Sequence, residues 1–391
     1  MKRAPVVAGA LPYWWHGSLG SVEGARAVYL EKGTGMNLAI VGFAHGHVDV
    51  YATEIQQMRD ARIVSGWDHD VQRGLDRCRQ HGCDFVPDLS ALLARSDLSG
   101  VIIGAETSMH ADLVEAAAAA GKSILLQKPM ALTLQDCDRI VQAVEASGVR
   151  FSIAWQMRCD PQNVWMRDAV QSGKIGQVVM LRRRHGLPAH RWGWLENSWH
   201  VQPSLNRGMW MDDAAHPADF LSWVLGRPTS VIAEIDTLIN QKIPDNNGVA
   251  TYRFTGGTMG ILECSFTCVA ARETTLIVGE NGSIVQDYGD AVSCGVTPLP
   301  EGTRGLRFLL AGDNEWTPVD IPTPPNHGYR IRAVARPAVE FLLGQREPIA
   351  TAEEGRENVR MLLAAYQSSA EGRRVGMEEE NADDIDSSHD H

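Results

Sequence analysis

The sequence predicts an α/β protein of two domains, a doubly wound parallel sheet followed by an α+β domain with a large, open and mostly antiparallel sheet. From residue 36 to about 156, short apolar segments alternate with helical segments of roughly 10–15 residues, the pattern of βαβ units. Beyond that point, stretches of alternating polar and apolar residues are separated by glycine-rich turns, which is typical of antiparallel strands. With 391 residues and 44% hydrophobic content, the chain can fill a core in each domain.

In the first domain, predicted strands and helices follow one another in turn. The strands are 37–43, 62–67, 100–104, 123–127 and 149–155, and the helices between them end near residues 59, 80, 120 and 147. Gly121 stops an alanine-rich helix. Thr133 can cap the next helix, because its hydroxyl can accept a hydrogen bond from a main-chain N–H.

The second domain is predicted to contain five longer strands and four helices. The strands are 177–184, 229–237, 248–254, 258–269 and 274–285, and the helices are 161–171, 217–225, 329–344 and 352–371. We therefore place the domains at 36–156 and 157–375. Residues 1–35 are expected to form an extension, because Met36 directly precedes the first strand, and 376–391 an acidic, disordered tail.

Composition argues against several classes of protein. The net charge of −12 and the lack of a long basic cluster argue against nucleic-acid binding. No apolar run approaches the roughly 18 residues that span a bilayer, and Pro12 interrupts the apolar start, so no membrane segment or signal peptide is expected. Seven scattered cysteines without paired motifs indicate reduced thiols in a cytoplasmic protein.

The turn after the first strand has part of the pattern of a dinucleotide-binding turn. Gly42 occupies the first glycine position, whereas Ala44 and His47 stand in the other two and Gly46 is displaced by one residue. Asp68 ends the second strand, where an acidic residue can accept both ribose hydroxyls and would repel a 2′-phosphate. The pattern favours a Rossmann domain that binds NAD, with NADP less favoured; a doubly wound domain without a nucleotide is the alternative.

A lysine ends the apolar strand 123–127. Pro129 disfavours a helical conformation for Lys128, which we expect to be extended at the carboxyl edge of the sheet, where ligands bind in such folds. Burying a lysine there costs desolvation energy, so Lys128 is the first candidate for chemistry.

A second polar group follows at Asp212, His216 and Asp219. On a helix these three side chains would share one face, and Pro217 is expected at the first helical position. Asp212 could orient His216 and tune it for acid–base work; a capping aspartate beside an ordinary histidine is the alternative.

Together these residues resemble the glucose–fructose oxidoreductase / inositol dehydrogenase (Gfo/Idh/MocA) family. Lys128-Pro129 matches the family's lysine–proline pair, and Asp212 with His216 matches its Asp-x-x-x-His motif. The likeness spans about residues 36–375 and includes Ser108-Met109-His110, Arg158 with Pro161, and the turn 173–176. Gln127 departs from the glutamate that usually precedes the lysine.

The resemblance implies NAD(P)-linked hydride transfer at a hydroxyl-bearing carbon of a sugar, glycoside or cyclic polyol. His216 would be the base, Lys128 would stabilise the reacting oxygen, and Asp212 would orient the hydroxyl and balance the lysine. The expected cofactor contacts are Gly42, Ala44, His45, Gly46, His47, Asp68, Ala105, Thr107, His110, Gln127 and Lys128. No metal is expected, since no ligand spacing is diagnostic; His200 near Asp212 and Asp213 is the one alternative.

A tryptophan-rich segment, 190–200, is expected to form one wall of the substrate site. Aromatic faces suit the apolar face of a sugar ring, and the expected substrate contacts are Trp155, Arg158, Trp192, Trp199 and His200. A loop pinned by tryptophans, or an oligomer contact, is the alternative. An open second sheet would be covered by another copy of the chain, so a homodimer or homotetramer is expected. A glycosidase with tightly bound NAD and a non-catalytic sugar or nucleotide sensor are the rival functions.

Overall fold

A computed structural model describes residues 35–269, 273–288, 302–325 and 327–377. The first domain contains β1 (Met36–Val41), α1 (His47–Ile55), β2 (Ala61–Trp67), α2 (Val71–His81), β3 (Asp84–Phe85), α3 (Leu89–Leu93), β4 (Gly100–Ile103), α4 (His110–Ala119), β5 (Ser123–Leu126), α5 (Leu134–Ser147) and β6 (Phe151–Ile153). Its six strands pair in parallel in the order β3-β2-β1-β4-β5-β6. The strand order reverses between β1 and β4, where a ligand crevice is expected.

The second domain contains a nine-stranded sheet with helices on its inner face. Its elements are α6 (Pro161–Gln171), β7 (Val178–Gly186), α7 (Pro203–Asn206), α8 (Met209–Asp213), α9 (Ala215–Leu225), β8 (Pro228–Asp236), β9 (Asn247–Phe254), β10 (Met259–Ser265), β11 (Glu273–Gly279), β12 (Gly282–Asp287), β13 (Leu306–Leu310), β14 (Thr317–Pro318), α10 (His327–Arg332), α11 (Ala335–Leu342), α12 (Ala352–Glu371) and β15 (Val375–Gly376). The order is β14-β13-β12-β11-β7-β10-β9-β8-β15, antiparallel except for the pair β10 and β7. The two sheets confirm the predicted fold class.

Side-chain alternation on β7 brings polar groups into the interior. Leu181, Arg183 and His185 face inward and are buried, whereas Arg182 and Arg184 face outward. Helices α9 and α12 cover the inner face, and α12 also contacts α5 of the first domain. This packing places α8 and α9 next to the carboxyl edge of the first sheet, where Lys128 contacts Asp212.

The structure differs from the predicted elements in several places, and β13, β14 and β15 were not predicted. The strand 274–285 is a hairpin of β11 and β12. The helix 329–344 is divided into α10 and α11, because Pro337 has no N–H to donate to the carbonyl of Ala333. Pro217 is the third helical residue rather than the first, which α9 tolerates because the first-turn N–H groups have no intrahelical partner.

Some predictions fall outside the described residues, namely those for residues 1–34 and 378–391. None of the helices in the described part of the chain is both long and apolar enough to cross a membrane.

Candidate active site

The turn between β1 and α1 fits the pyrophosphate of a dinucleotide. Gly42 has φ of +84°, and a Cβ there would lie 2.6 Å from the main chain of Ala105, so only glycine suits this position. Gly46 directly precedes α1, and no described atom lies within 4 Å of where its Cβ would be. Gly46 leaves room for an anion to approach the positive N-terminal end of α1, where the Val48 N–H donates to the carbonyl of His45 at 3.1 Å.

Asp68 lies beside this turn, and both of its carboxylate oxygens already accept hydrogen bonds from the protein. Its Oδ2 accepts hydrogen bonds from the Phe43 N–H at 2.7 Å and from Arg73 Nε at 2.8 Å. Its Oδ1 accepts from the Asp70 N–H and from Arg73 Nη2, both at 2.8 Å. Arg73 also binds Glu106, which follows β4. The sequence reasoning missed both Arg73 and Glu106, although the position of Arg73 in the first turn of α2 was a usable signal.

Lys128 lies at the carboxyl end of β5 between two carboxylates from the second domain. Its Nζ is 2.6 Å from Asp212 Oδ1 and 3.4 Å from Asp213 Oδ1. His216 completes the cluster, with Nε2 3.7 Å from Asp213 Oδ1. His216 Nδ1 is buried and has no hydrogen-bond partner among the described residues. The structure therefore brings together the three predicted catalytic residues and adds Asp213, which the four-residue spacing did not indicate.

The surroundings of this cluster raise the pKa of Lys128 and lower the pKa of His216. Burial opposes the charge of Lys128, but Asp212 and Asp213 outweigh it and raise the Lys128 pKa above the usual 10.5. Burial, reinforced by the charge of Lys128, lowers the His216 pKa well below 6.5. Burial would raise the pKa of Asp213, but Lys128 and His185 hold it well below its usual range. At neutral pH the cluster contains a cationic lysine, an ionised Asp213 and a neutral imidazole.

Asn206 connects this cluster to the first domain. Its Nδ2 donates to Asp212 Oδ2 at 3.0 Å, and its Oδ1 accepts from the Thr107 hydroxyl at 2.7 Å. Thr107, predicted to contact the cofactor, thus lies at the carboxyl edge with its hydroxyl already paired. Asn206 belongs to no motif, so its role was not predictable from the sequence.

The tryptophan-rich segment lies between the nucleotide turn and the catalytic cluster. Trp199 Nε1 donates to the carbonyl of Ala44 at 3.1 Å, and its ring stacks on His200 with centroids 3.9 Å apart. The His200 ring is 6.1 Å from the His45 ring. Trp192 stacks on Trp194 at 5.9 Å. The segment therefore borders the predicted cofactor and substrate sites at once.

Trp155 lies beside His216 of the catalytic cluster. It is fully buried, and its ring is 5.7 Å from the His216 ring.

Three predicted ligand contacts have structural partners instead. Arg158 was predicted to bind substrate, but it forms a two-point ion pair with Asp219 and also binds Glu354, which ties α9 to α12. The ring nitrogens of His110 face the carbonyls of Pro129, Met130 and Ala105. Gln127 Nε2 donates to the Tyr51 hydroxyl at 2.9 Å, which ties β5 to α1. Each of these three side chains therefore has hydrogen-bond partners within the protein, and its role is to fix the elements that surround the site.

The buried histidines make the protein's stability depend on pH. Burial is the first cause that lowers the pKa values of His45, His110, His200 and His216 below 6.5. The unfolded chain then binds more protons than the folded chain below pH 6.5, so stability is full above that value and is lost as pH falls. We expect the free energy of unfolding to fall between pH 6.5 and 5 by up to about 1.4 kcal/mol per pH unit for each histidine. Urea unfolding midpoints across this range measure it.

One histidine variant tests this expectation. His216→Gln should reduce the slope, because one proton fewer is taken up on unfolding. The wild type measured in the same series is the reference. Equal slopes in the wild type and in His216→Gln would contradict the assignment of a neutral, buried His216.

Within the described ranges, no group of three or more His, Cys, Asp or Glu side chains has an arrangement that could hold a metal ion. The alternative of a metal at His200, Asp212 and Asp213 therefore has no geometric support.

Two family models match most of the described chain. Residues 36–155 match an oxidoreductase family with an NAD-binding Rossmann fold, and residues 164–285 match the GFO/IDH/MocA C-terminal domain. A 1,5-anhydro-D-fructose reductase from Ensifer adhaerens is 28% identical, covering 81% of this chain and 91% of that protein. A myo-inositol 2-dehydrogenase from Thermotoga maritima is 23% identical, covering 70% and 81%.

The solved structures agree on the fold. A levoglucosan dehydrogenase in complex with NADH and levoglucosan superposes with a TM-score of 0.73 at 21% identity, covering 88% of this chain and 99% of that one. The sheet order, the turn at Gly42 and both family matches lead to one assignment. The chain belongs to the Gfo/Idh/MocA family of oxidoreductases, with an NAD-binding Rossmann domain at its N-terminal side.

Proposed function

We propose that this protein transfers a hydride between NAD and a hydroxyl-bearing carbon of a sugar, glycoside or cyclic polyol. The observation that carries the proposal is the buried cluster of Lys128, Asp212, Asp213 and His216 beside the nucleotide turn. The names of two relatives, an anhydrofructose reductase and an inositol dehydrogenase, support the substrate class.

The roles of the side chains follow from the chemistry of an alcohol. Loss of hydride from its carbon requires loss of the hydroxyl proton, which the neutral imidazole of His216 accepts. Lys128 donates a hydrogen bond to the same oxygen and stabilises the negative charge that develops there. Asp212, itself held by Asn206, fixes the position of the lysine. A bound nicotinamide supplies the hydride acceptor.

For the cofactor, we propose NAD held at the turn of Gly42, Ala44 and Gly46, with the N–H groups at the start of α1 facing the pyrophosphate. We propose NAD rather than NADP because the ribose end of the crevice has two carboxylates, Asp68 and Glu106, and one arginine, Arg73. The excess negative charge disfavours a 2′-phosphate. For the substrate, we propose the rings of Trp155, Trp192, Trp199 and His200 as the walls, since aromatic faces pack against apolar faces of sugar rings.

We also propose a homodimer or homotetramer in the cytoplasm. The outer face of the nine-stranded sheet supports the oligomer, because Ile232 and Val249 on its strands are 43% and 42% exposed. Cys78, Cys83, Cys137 and Cys159 form no disulfide, which supports a reducing compartment.

A panel of sugars, glycosides and polyols with NAD and NADP tests the reaction. We expect net formation of reduced cofactor with at least one compound, faster with NAD, followed by its absorbance. An O-methylated derivative of the best substrate is the matched control, because it has no hydroxyl proton for His216 to accept. Glycoside cleavage without net NADH would favour the glycosidase, and binding without any turnover would favour the sensor; either result contradicts the proposal.

A further inference from the structure

Arg73 lies between two carboxylates at the carboxyl edge of the first sheet. Its Nε and Nη2 donate to Asp68, and its Nη1 donates to Glu106 Oε1 at 3.0 Å. Asp68 follows β2 and Glu106 follows β4, while β1 and its turn lie between these two strands. The arginine therefore reaches across the edge at which the nucleotide turn begins.

Asp68 already accepts as many hydrogen bonds as a carboxylate usually does. Its two oxygens accept from two main-chain N–H groups, those of Phe43 and Asp70, and from two nitrogens of Arg73. A carboxylate offers about four lone-pair sites, so all of them are used. Asp68 thus fixes the turn and one side of the Arg73 guanidinium. Glu106 is the carboxylate that binds its remaining nitrogen, Nη1.

We propose that Glu106 determines the preference for NAD by withholding Arg73 from a 2′-phosphate. An arginine after the second strand is the usual ligand of the 2′-phosphate in NADP-binding folds. Here that arginine is bound by two carboxylates. The three side chains Asp68, Arg73 and Glu106 together carry a net charge of about −1. This charge repels a 2′-phosphate of roughly −1.5 to −2 but does not repel a ribose hydroxyl. This inference rests on the dinucleotide binding in the proposed function.

Binding of two nucleotide fragments tests the inference without any turnover. Adenosine 5′-monophosphate has the ribose hydroxyls, and adenosine 2′,5′-bisphosphate has the 2′-phosphate; calorimetry gives the Kd of each for the full chain. We expect Glu106→Gln to lower the Kd of the bisphosphate about tenfold or more, since one freed charged contact contributes about that much, and to change that of the monophosphate less than about threefold.

Two further variants make the result specific to Arg73. In Glu106→Gln/Arg73→Gln the gain should be lost, and Arg73→Gln alone should weaken the bisphosphate further, because two carboxylates then face it unopposed. Glu115→Gln is the matched control: Glu115 pairs with Arg139 on the outer helices α4 and α5, so it makes the same change of charge elsewhere. It should leave both Kd values unchanged.

The outcomes separate this inference from the proposed function. An unchanged ratio of the two Kd values in Glu106→Gln, or a gain that persists without Arg73, would overturn the role of Glu106 and leave the proposed reaction in place. A wild type that binds neither fragment would overturn both. A shift as expected in a protein that never transfers hydride would uphold the role of Glu106 and reject the reaction.

Discussion

Replacing Lys128 with methionine should lower kcat about 10²- to 10³-fold, the usual cost of removing one donor to a developing oxyanion. Methionine keeps the length of the side chain but not the charge. Steady-state rates on the best substrate from the panel measure the effect, and single-turnover rates exclude slow product release as its cause. A kcat within tenfold of the wild type would contradict the role of Lys128.

The same substitution also disturbs the fold, and this second effect must be separated from the first. Without the lysine, Asp212 and Asp213 remain buried with no cation beside them, which costs about 3–5 kcal/mol in such pairs. Lys128→Met/Asp212→Asn should recover much of that stability and none of the activity. Recovery of activity along with stability would show that Lys128 acts only on the fold.

Lys122 provides a matched control at the opposite end of β5. It is also buried, and its Nζ donates to the carbonyls of Arg95 and Leu98 at the amino edge of the sheet. Lys122→Met should therefore lower stability and leave kcat within about twofold of the wild type.

The contact between Lys128 and Asp212 was expected from the resemblance to the family, whereas local rules in the sequence place each of the two side chains separately. A proline after an apolar strand sets Lys128 at the sheet edge, and helical spacing puts Asp212 and His216 on one face. The residues that were missed depend on how distant segments pack. Arg73 and Glu106 lie 33 positions apart, and His185 reaches Asp213 only because β7 faces α8. No periodicity in a single sequence encodes such pairings.

The fold shows the same division between local and distant determinants. Strands with a run of three buried apolar residues, such as β4 and β5, were predictable within one or two positions. The two-residue strands β3, β14 and β15 were not, since they form only where a neighbouring strand offers free main-chain groups. Pro337 was visible in the sequence, but the apolar period continues across it and hid the break between α10 and α11.

His216→Gln should lower kcat for oxidation about 10²- to 10⁴-fold, the range usual for loss of a general base. The pH dependence of the two reaction directions tests whether neutral His216 is the base. Oxidation requires neutral His216, whose pKa is well below 6.5, so the wild-type rate should stay level from pH 8 to 6.5 and fall only under more acid conditions. Reduction requires the protonated form, so its rate should rise about tenfold for each pH unit of acidification near neutrality.

Lys128 is another group in the cluster that could serve as the base, and the two assignments predict different dependences of the oxidation rate on pH. The carboxylates hold the Lys128 pKa above 10.5, so oxidation through a lysine base would rise about tenfold per pH unit up to that value. The positive charge of Lys128 is also one cause of the low His216 pKa, so the acid limb should move to higher pH in Lys128→Met and be absent in His216→Gln. His81→Gln, which breaks a histidine–aspartate pair with Asp49 outside the cluster, should leave the limb where it is. An oxidation rate that rises steadily with pH in all four proteins would transfer the role of base from His216 to another group.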